Sequence, residues 1–180
     1  IEYRDRYGFA AGPRGSPVIA DGVVVILGVT SLLHGLDLET GKVLWSHDLR
    51  KEYLVPQDFF GHGSSPLIVG GKVILQVGGK LEDTSGEESK RERSRKLATA
   101  GVSVAAFDLK TGAVKWELKD DWGASYASPV LAKLHGKDKV IIFAGGESDP
   151  PTGGLMCIDP ETGVLHDRFP WRADDYISAS

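Results

Sequence analysis

Three copies of one phrase run through the chain: GLDLETGKVLW at 35–45, AFDLKTGAVKW at 106–116 and CIDPETGVLHD at 157–167. Each follows an apolar run opened by Ser-Pro, at Ser16-Pro17, Ser65-Pro66 and Ser128-Pro129. A phrase that recurs with its flanks intact is one supersecondary unit used repeatedly, each copy burying its apolar face against the next. The repeat constrains the fold far more than the activity, because chemistry sits in what differs between copies.

The spacing shows which parts of the unit are fixed. Ser16 to Asp37 is 21 residues, Ser128 to Asp159 is 31 and Ser65 to Asp108 is 43, so the unit is constant and the stretch before the Asp grows. The expected units run over about 16–58, 65–119 and 128–171, with a charged insertion at 80–100 in the second. Without that insertion, the second unit approaches the roughly 40–45 residues of a four-stranded propeller blade. Within the first unit, a short strand around Pro17 to Ala20 leads through a tight Asp21-Gly22 turn into a β-branched strand from Val23 to Leu27. A third strand follows at about Leu32 to Leu36. Asp-x-x-Thr-Gly then makes a hairpin in which the Asp37 carboxylate accepts backbone N–H groups and Gly41 takes a positive φ, and a fourth strand begins at Lys42 to Trp45. The fold class expected is all-β: a partial β-propeller of about three four-stranded antiparallel blades.

The pattern small-x-Asp-x-x-Thr-Gly-Lys-x-x-Trp resembles the repeat of the pyrroloquinoline-quinone-like (PQQ-like) β-propellers, the superfamily that holds quinoprotein alcohol dehydrogenases and many non-catalytic relatives. The resemblance implies that Trp45 and Trp116 are wedges between neighbouring blades, with Gly41, Gly112 and Gly163 as the flat surfaces they need. A large indole approaches a backbone closely only where no β-carbon intervenes, and burying it contributes several times what a methylene does. The third copy departs, since Asp167 stands where Trp is expected. Trp171 lies four residues on, and Pro170 interrupts the strand before it. Propellers have about 4–8 blades, so a fragment of a larger protein is expected, with the remaining blades as its first partners.

With 41 % hydrophobic and 26 % charged residues, the chain has the composition of an ordinary soluble domain. No apolar run approaches the length of a membrane span. A net charge of −4 argues against nucleic acid as a partner. Cys157 is the lone cysteine; it occupies the small-residue slot filled by Gly35 and Ala106 and reads as a structural thiol. The insertion carries both charge signs nearly in balance. Its Ser85/Glu88 capping box and its Glu87/Arg91 and Glu92/Lys96 pairs suit a short surface helix or an exposed loop.

Catalytic constellations are sparse: there is no nucleophile elbow, no zinc-like His and Cys spacing and no phosphate-cradling glycine loop. Glu147 and Asp149 bring two carboxylates together in what reads as an exposed turn. The chain contains no Asn at all. It also lacks the adjacent cysteine pair that lies near the quinone in the family's alcohol dehydrogenases. The stretches before each Ser-Pro, YGFAAGPRG, FFGHGS and WGASYA, each place an aromatic and a glycine ahead of the innermost strand. Arg14, His62, Trp122 and Tyr126 are therefore the candidates for a surface at the mouth of the axial channel, where a protein or small ligand would bind. His34, His47, His135 and His166 share no spacing and read as structural or exposed. The leading expectation is a non-catalytic binding or assembly scaffold with no cofactor of its own. The alternative is part of a quinoprotein dehydrogenase acting on alcohols or sugars with PQQ and calcium. The resemblance implies an extracytoplasmic, bacterial periplasmic setting for both.

Overall fold

In the computed structural model, residues 14–55, 61–79, 101–145 and 152–171 are described. Each repeat forms a four-stranded antiparallel meander in simple sequence order. The first sheet comprises β1 (Val18–Ala20), β2 (Val23–Leu27), β3 (Leu32–Asp37) and β4 (Val43–Asp48). The second comprises β5 (Leu67–Val69), β6 (Lys72–Gln76), β7 (Gly101–Asp108) and β8 (Val114–Asp120). The third comprises β9 (Val130–Leu134), β10 (Lys137–Ala144), β11 (Gly154–Ile158) and β12 (Leu165–Pro170). The fold is all-β, three blades of a partial propeller. The charged insertion at 80–100 and the Glu147/Asp149 loop lie outside the described residues.

Two kinds of hairpin set the geometry. The first joins the inner two strands through a two-residue turn with both residues at positive φ: Asp21-Gly22, Gly70-Gly71 and His135-Gly136. That is the type I′ arrangement, whose twist matches that of the flanking strands. The second is the Asp-x-x-Thr-Gly turn, and its bonds repeat in all three blades. Asp37, Asp108 and Asp159 each accept from the N–H and hydroxyl of the Thr three residues on. Gly41, Gly112 and Gly163 donate back to the Asp carbonyl at 2.8, 2.8 and 2.9 Å. A register shift follows each small residue, after Gly35, Ala106 and Cys157, so the outer strand carries one extra residue and twists away.

The core consists of two seams, each fed by alternation along the strands. Val23, Val25 and Leu27 of sheet 1 meet Val73, Leu75 and Phe107 of sheet 2. Ile74, Val104 and Ala106 on the other face of sheet 2 meet Val140, Ile142, Met156 and Ile158 of sheet 3. Sheet 2 thus uses both faces, one per neighbour, as period-two side-chain placement requires. A single helical turn, α1 (Leu49–Tyr53), was not expected from the sequence. It is capped by Asp48, which accepts from Lys51 N–H while the Asp48 N–H donates to Glu52. Among the described residues no helix is long and apolar enough to cross a membrane.

Candidate functional site

The meander puts the two hairpins of every blade on one face and leaves the segments that pass from an outermost strand to the next innermost strand on the other. The candidate residues of the axial mouth lie in those passing segments, so their chemistry depends on how the segments are pinned.

The seams are pinned first by indoles. Trp45 lies against Gly112, where a built Cβ would come within 2.8 Å of the ring, and its Nε1 donates to the Leu109 carbonyl at 2.9 Å. Trp116 repeats this against Gly163 at 2.6 Å and donates to the Pro160 carbonyl at 3.1 Å. Gly35 sits directly across from Trp45 in the same sheet, and Ala106 across from Trp116; Cys157 is paired instead with Asp167. Trp171 does not take over the missing wedge. It is exposed and meets Phe143 edge-on at 6.0 Å.

On the axial side, the Ser-Pro serines form a ladder. The Ser16 N–H donates to Ser65 Oγ at 2.7 Å, and the Ser65 N–H to Ser128 Oγ at 2.9 Å. Each hydroxyl therefore satisfies an amide of the preceding blade at a place where the innermost strands run short of ladder partners. In the Ser-Pro frame His62 is equivalent to Ser125, and both are fastening residues. His62 is 4 % exposed; its Nδ1 lies 2.7 Å from Ser31 Oγ, and its N–H donates to the Val29 carbonyl at 3.1 Å. Burial pushes its pKa down to about 4, and the nearby Gln76 backbone opposes that shift without completing a hydrogen bond to Nε2. The ring is neutral at physiological pH. Ser125 takes the Gln76 side chain at 3.0 Å through its N–H and donates its own hydroxyl to the Phe143 carbonyl. The Gln76 amide also donates to the Ala127 carbonyl at 2.6 Å.

Arg14, Gly63 and Tyr126 fall at equivalent places in the three blades. Tyr126 lies over Gly63, where a Cβ would stand 3.0 Å from its ring, and both Arg14 and Tyr126 are half-buried. Trp122 is placed differently. It is 4 % exposed and belongs to the seam between sheets 2 and 3, with the Arg168 guanidinium 3.9 Å above its ring. Arg168 also holds Asp120 and Asp121, each at 3.0 Å. Trp122 therefore offers a ligand at the mouth almost no surface, because stacking under Arg168 spends its face on the blade seam. At the equivalent place between sheets 1 and 2, Tyr53 donates to Glu117 at 2.8 Å. His47, expected to be structural or exposed, bridges the same seam through Glu52 at 2.7 Å and the Gly112 carbonyl at 2.8 Å.

The three turn carboxylates and Asp120 are likewise committed. The Thr40 hydroxyl and amide hold Asp37 below its ordinary pKa; Lys115 and the Thr111 amide do so for Asp108. For Asp159, partial burial raises the pKa, but the Thr162 and Glu161 amides outweigh it and bring the value to about 2. Desolvation pushes Asp120 up, against the Trp122 amide and Arg168. A cavity of about 310 Å³ on the hairpin face is lined by Lys72, Lys110 and Lys115 together with Asp21 and Asp108. These lysines are engaged with Glu161, the Asp21 carbonyl and Asp108 respectively.

Sequence reasoning missed the serine ladder, Gln76, Ser125 and the Arg168 clamp. The available signal was the Ser-Pro frame itself, since a serine repeated at a fixed place implies a hydroxyl with a repeated partner.

The family model described as Outer membrane protein assembly factor BamB matches residues 5–177. Among curated proteins, the chain is 29 % identical over 160 residues to a quinoprotein ethanol dehydrogenase of Pseudomonas aeruginosa, covering 84 % of this chain and 22 % of that protein. It is 28 % identical over 171 residues to the dehydrogenase subunit of a quinone alcohol dehydrogenase from Gluconobacter oxydans, covering 88 % and 19 %. The chain thus spans about a fifth of the length of these relatives. Among solved structures, the quinohemoprotein alcohol dehydrogenase ADHIIG of Pseudomonas putida HK5 aligns with a TM-score of 0.55 at 21 % identity, over 88 % of this chain and 20 % of that one. The C-terminal domain of Pseudomonas aeruginosa PilY1 aligns with a TM-score of 0.56 at 20 % identity, over 87 % and 31 %. These structural likenesses speak for the fold.

Proposed function

Because this chain belongs to the PQQ-like propeller repeat family, we propose that it is a non-catalytic binding or assembly scaffold, a run of blades within a larger propeller. The observation that carries this reading is the spending of polar groups at the axial mouth. His62, Ser31, Gln76, Ser125 and the three Ser-Pro serines fasten blades to one another, so the groups a catalyst would turn toward substrate are used as rivets. A buried imidazole with its pKa near 4 is a poor general base, since a base works best with a pKa near the operating pH.

The described carboxylates do not fit the family's calcium. Calcium takes six to eight oxygen ligands with carboxylates prominent among them. Here Asp37, Asp108 and Asp159 hold hairpin turns on the opposite face from the mouth, and Asp120 and Asp121 are paired with Arg168. The surface that would meet a protein or small ligand is formed by the half-buried Arg14 and Tyr126 beside Gly63. An extracytoplasmic setting follows for this reading from the family resemblance.

The second reading, part of a quinoprotein dehydrogenase, is favoured by the names of the curated relatives. Calorimetric titration of the chain with PQQ, with and without calcium, separates the two. The scaffold reading expects no saturable binding. Micromolar or tighter binding, about −8 kcal/mol or better, would establish the dehydrogenase reading instead.

A further inference from the structure

The three blades share the backbone of their hairpins but not the charges on them, and chemistry enters through what differs between copies. Two residues after the turn Asp, the second blade has Lys110 where the first has Glu39 and the third Glu161. One residue before the wedge position it has Lys115, against Leu44 and His166. Its inner hairpin turns on Gly70-Gly71, where the others use Asp21-Gly22 and His135-Gly136. The strand after that turn opens on Lys72 in place of Val23. The third blade keeps a lysine on its inner hairpin, Lys139, and pairs it with its own Asp159.

These substitutions surround the cavity of about 310 Å³ on the hairpin face, a volume at the lower end of small-ligand pockets. Its lining sets three ammonium groups against two carboxylates, Asp21 and Asp108. Asp108 is taken up by its own turn: one oxygen accepts from the Lys110 and Thr111 amides and the Thr111 hydroxyl, the other from Lys115 at 2.9 Å. Lys110 donates to the Asp21 carbonyl, which holds the ammonium without neutralising it. The Lys72 side chain is only 13 % exposed, whereas its partner Glu161, reaching across from sheet 3 at 2.7 Å, is 66 % exposed. A pair with so exposed a counter-ion is weak. Gly70 makes the room, since a Cβ built there would stand 2.9 Å from Glu161 Oε1 and 3.7 Å from Lys72 Nζ. The Glu161 carboxylate is thus an oxyanion already seated at Lys72, on a side chain exposed enough to give way.

We propose that this cavity binds a phosphate group, as the free ion or as the monoester of a small molecule, with Lys72, Lys110 and Lys115 as its donors and Glu161 as the carboxylate it displaces. Lysine is a point charge on a long stem, and three of them converging from separate strands and turns suit a tetrahedral dianion with several equivalent oxygens. A planar carboxylate is matched instead by the fork of an arginine, and the lining contains none. The first blade, with Glu39, Leu44 and Val23 at these places, offers such an anion no donor. The site lies on the face opposite the axial mouth and is built from sheets 1 to 3 alone. It is therefore indifferent to whether the assembled protein is scaffold or dehydrogenase.

The test is a titration of the chain, followed by its backbone amide NMR signals, with inorganic phosphate and separately with methyl phosphate in a neutral phosphate-free buffer of constant ionic strength. Saturable shifts are expected at Gly70, Gly71, Lys110 and Thr111. Saturation by inorganic phosphate alone would assign the free ion, and saturation by both probes the monoester. Lys110→Glu with Lys115→Leu gives the second blade the residues of the first and is expected to weaken binding by about tenfold or more, the scale of one lost charge-assisted hydrogen bond. Glu161→Gln removes the competing carboxylate and is expected to tighten it. Shifts that never saturate, that sodium chloride or acetate reproduces at equal concentration, or that persist unchanged in the double variant overturn the proposal. Should the double variant not fold, Lys72→Val, again the first blade's residue, carries the same expected loss, and an unchanged affinity there overturns the proposal equally.

Discussion

Replacing Trp116 by Ala tests the seam directly. The side chain is 8 % exposed, lies flat on Gly163 and donates to the Pro160 carbonyl. A buried indole removes about 150–250 Å² from water, which at about 25 cal/mol per Å² is on the order of 4–6 kcal/mol. That is an upper figure, because the unfolded chain already hides part of this surface. Two local facts keep the cost high. Gly163 has no side chain to fall into the void, and the Pro160 carbonyl is left without its donor at a further cost of about 1 kcal/mol. The expected loss is about 3–5 kcal/mol, the range of large aromatic deletions from cores. Trp116→Phe, which keeps a ring on Gly163 but loses the N–H, should cost clearly less. Urea denaturation of the three proteins at equal m-value measures both differences. A loss below about 1 kcal/mol for Trp116→Ala, the scale of ordinary surface changes, would refute the wedge.

Two further predictions concern charge. Arg168→Ala leaves Asp120 buried without its guanidinium and uncovers Trp122; because Arg168 is itself partly exposed, the expected loss is about 1–3 kcal/mol rather than the full cost of breaking a buried pair. The Asp120 pKa is raised in the fold, so its contribution is fully present below the unfolded value near 4 and is lost as pH rises through the folded value. Melting temperatures of variant and wild type should therefore diverge as pH rises above about 4, and a constant gap would contradict this. Asp37, Asp108 and Asp159 have depressed values, so their stabilisation is present above about pH 4 and is lost as pH falls toward 2 and below. Thermal melts across that window should show a steep acid loss that Asp108→Asn with Asp159→Asn flattens; an unchanged slope would rule these turns out as its source.

The sequence by itself determined the strands and hairpins of the repeat, though not the short helix α1. Alternation in Val23–Leu27, the paired turn residues at Asp21-Gly22, and the Thr and Gly that follow each Asp are local matters, governed by backbone sterics and hydrogen bonds over a few residues, and three copies made them unambiguous. The repeat also marked Trp45, Trp116 and their glycines, since a large residue and a missing β-carbon recurring in phase imply each other. Tertiary structure decided what the mouth residues do. His62 meets Ser31 across 31 positions, Ser65 meets Ser128 across 63, and Trp122 lies under Arg168, 46 residues on. No period or propensity reports such meetings. They arise where blades converge on an axis and short innermost strands leave amides to be satisfied by whichever hydroxyl the next blade brings. Whether a histidine between two glycines faces a ligand or fastens a seam is settled by that convergence, and burial then fixes its protonation.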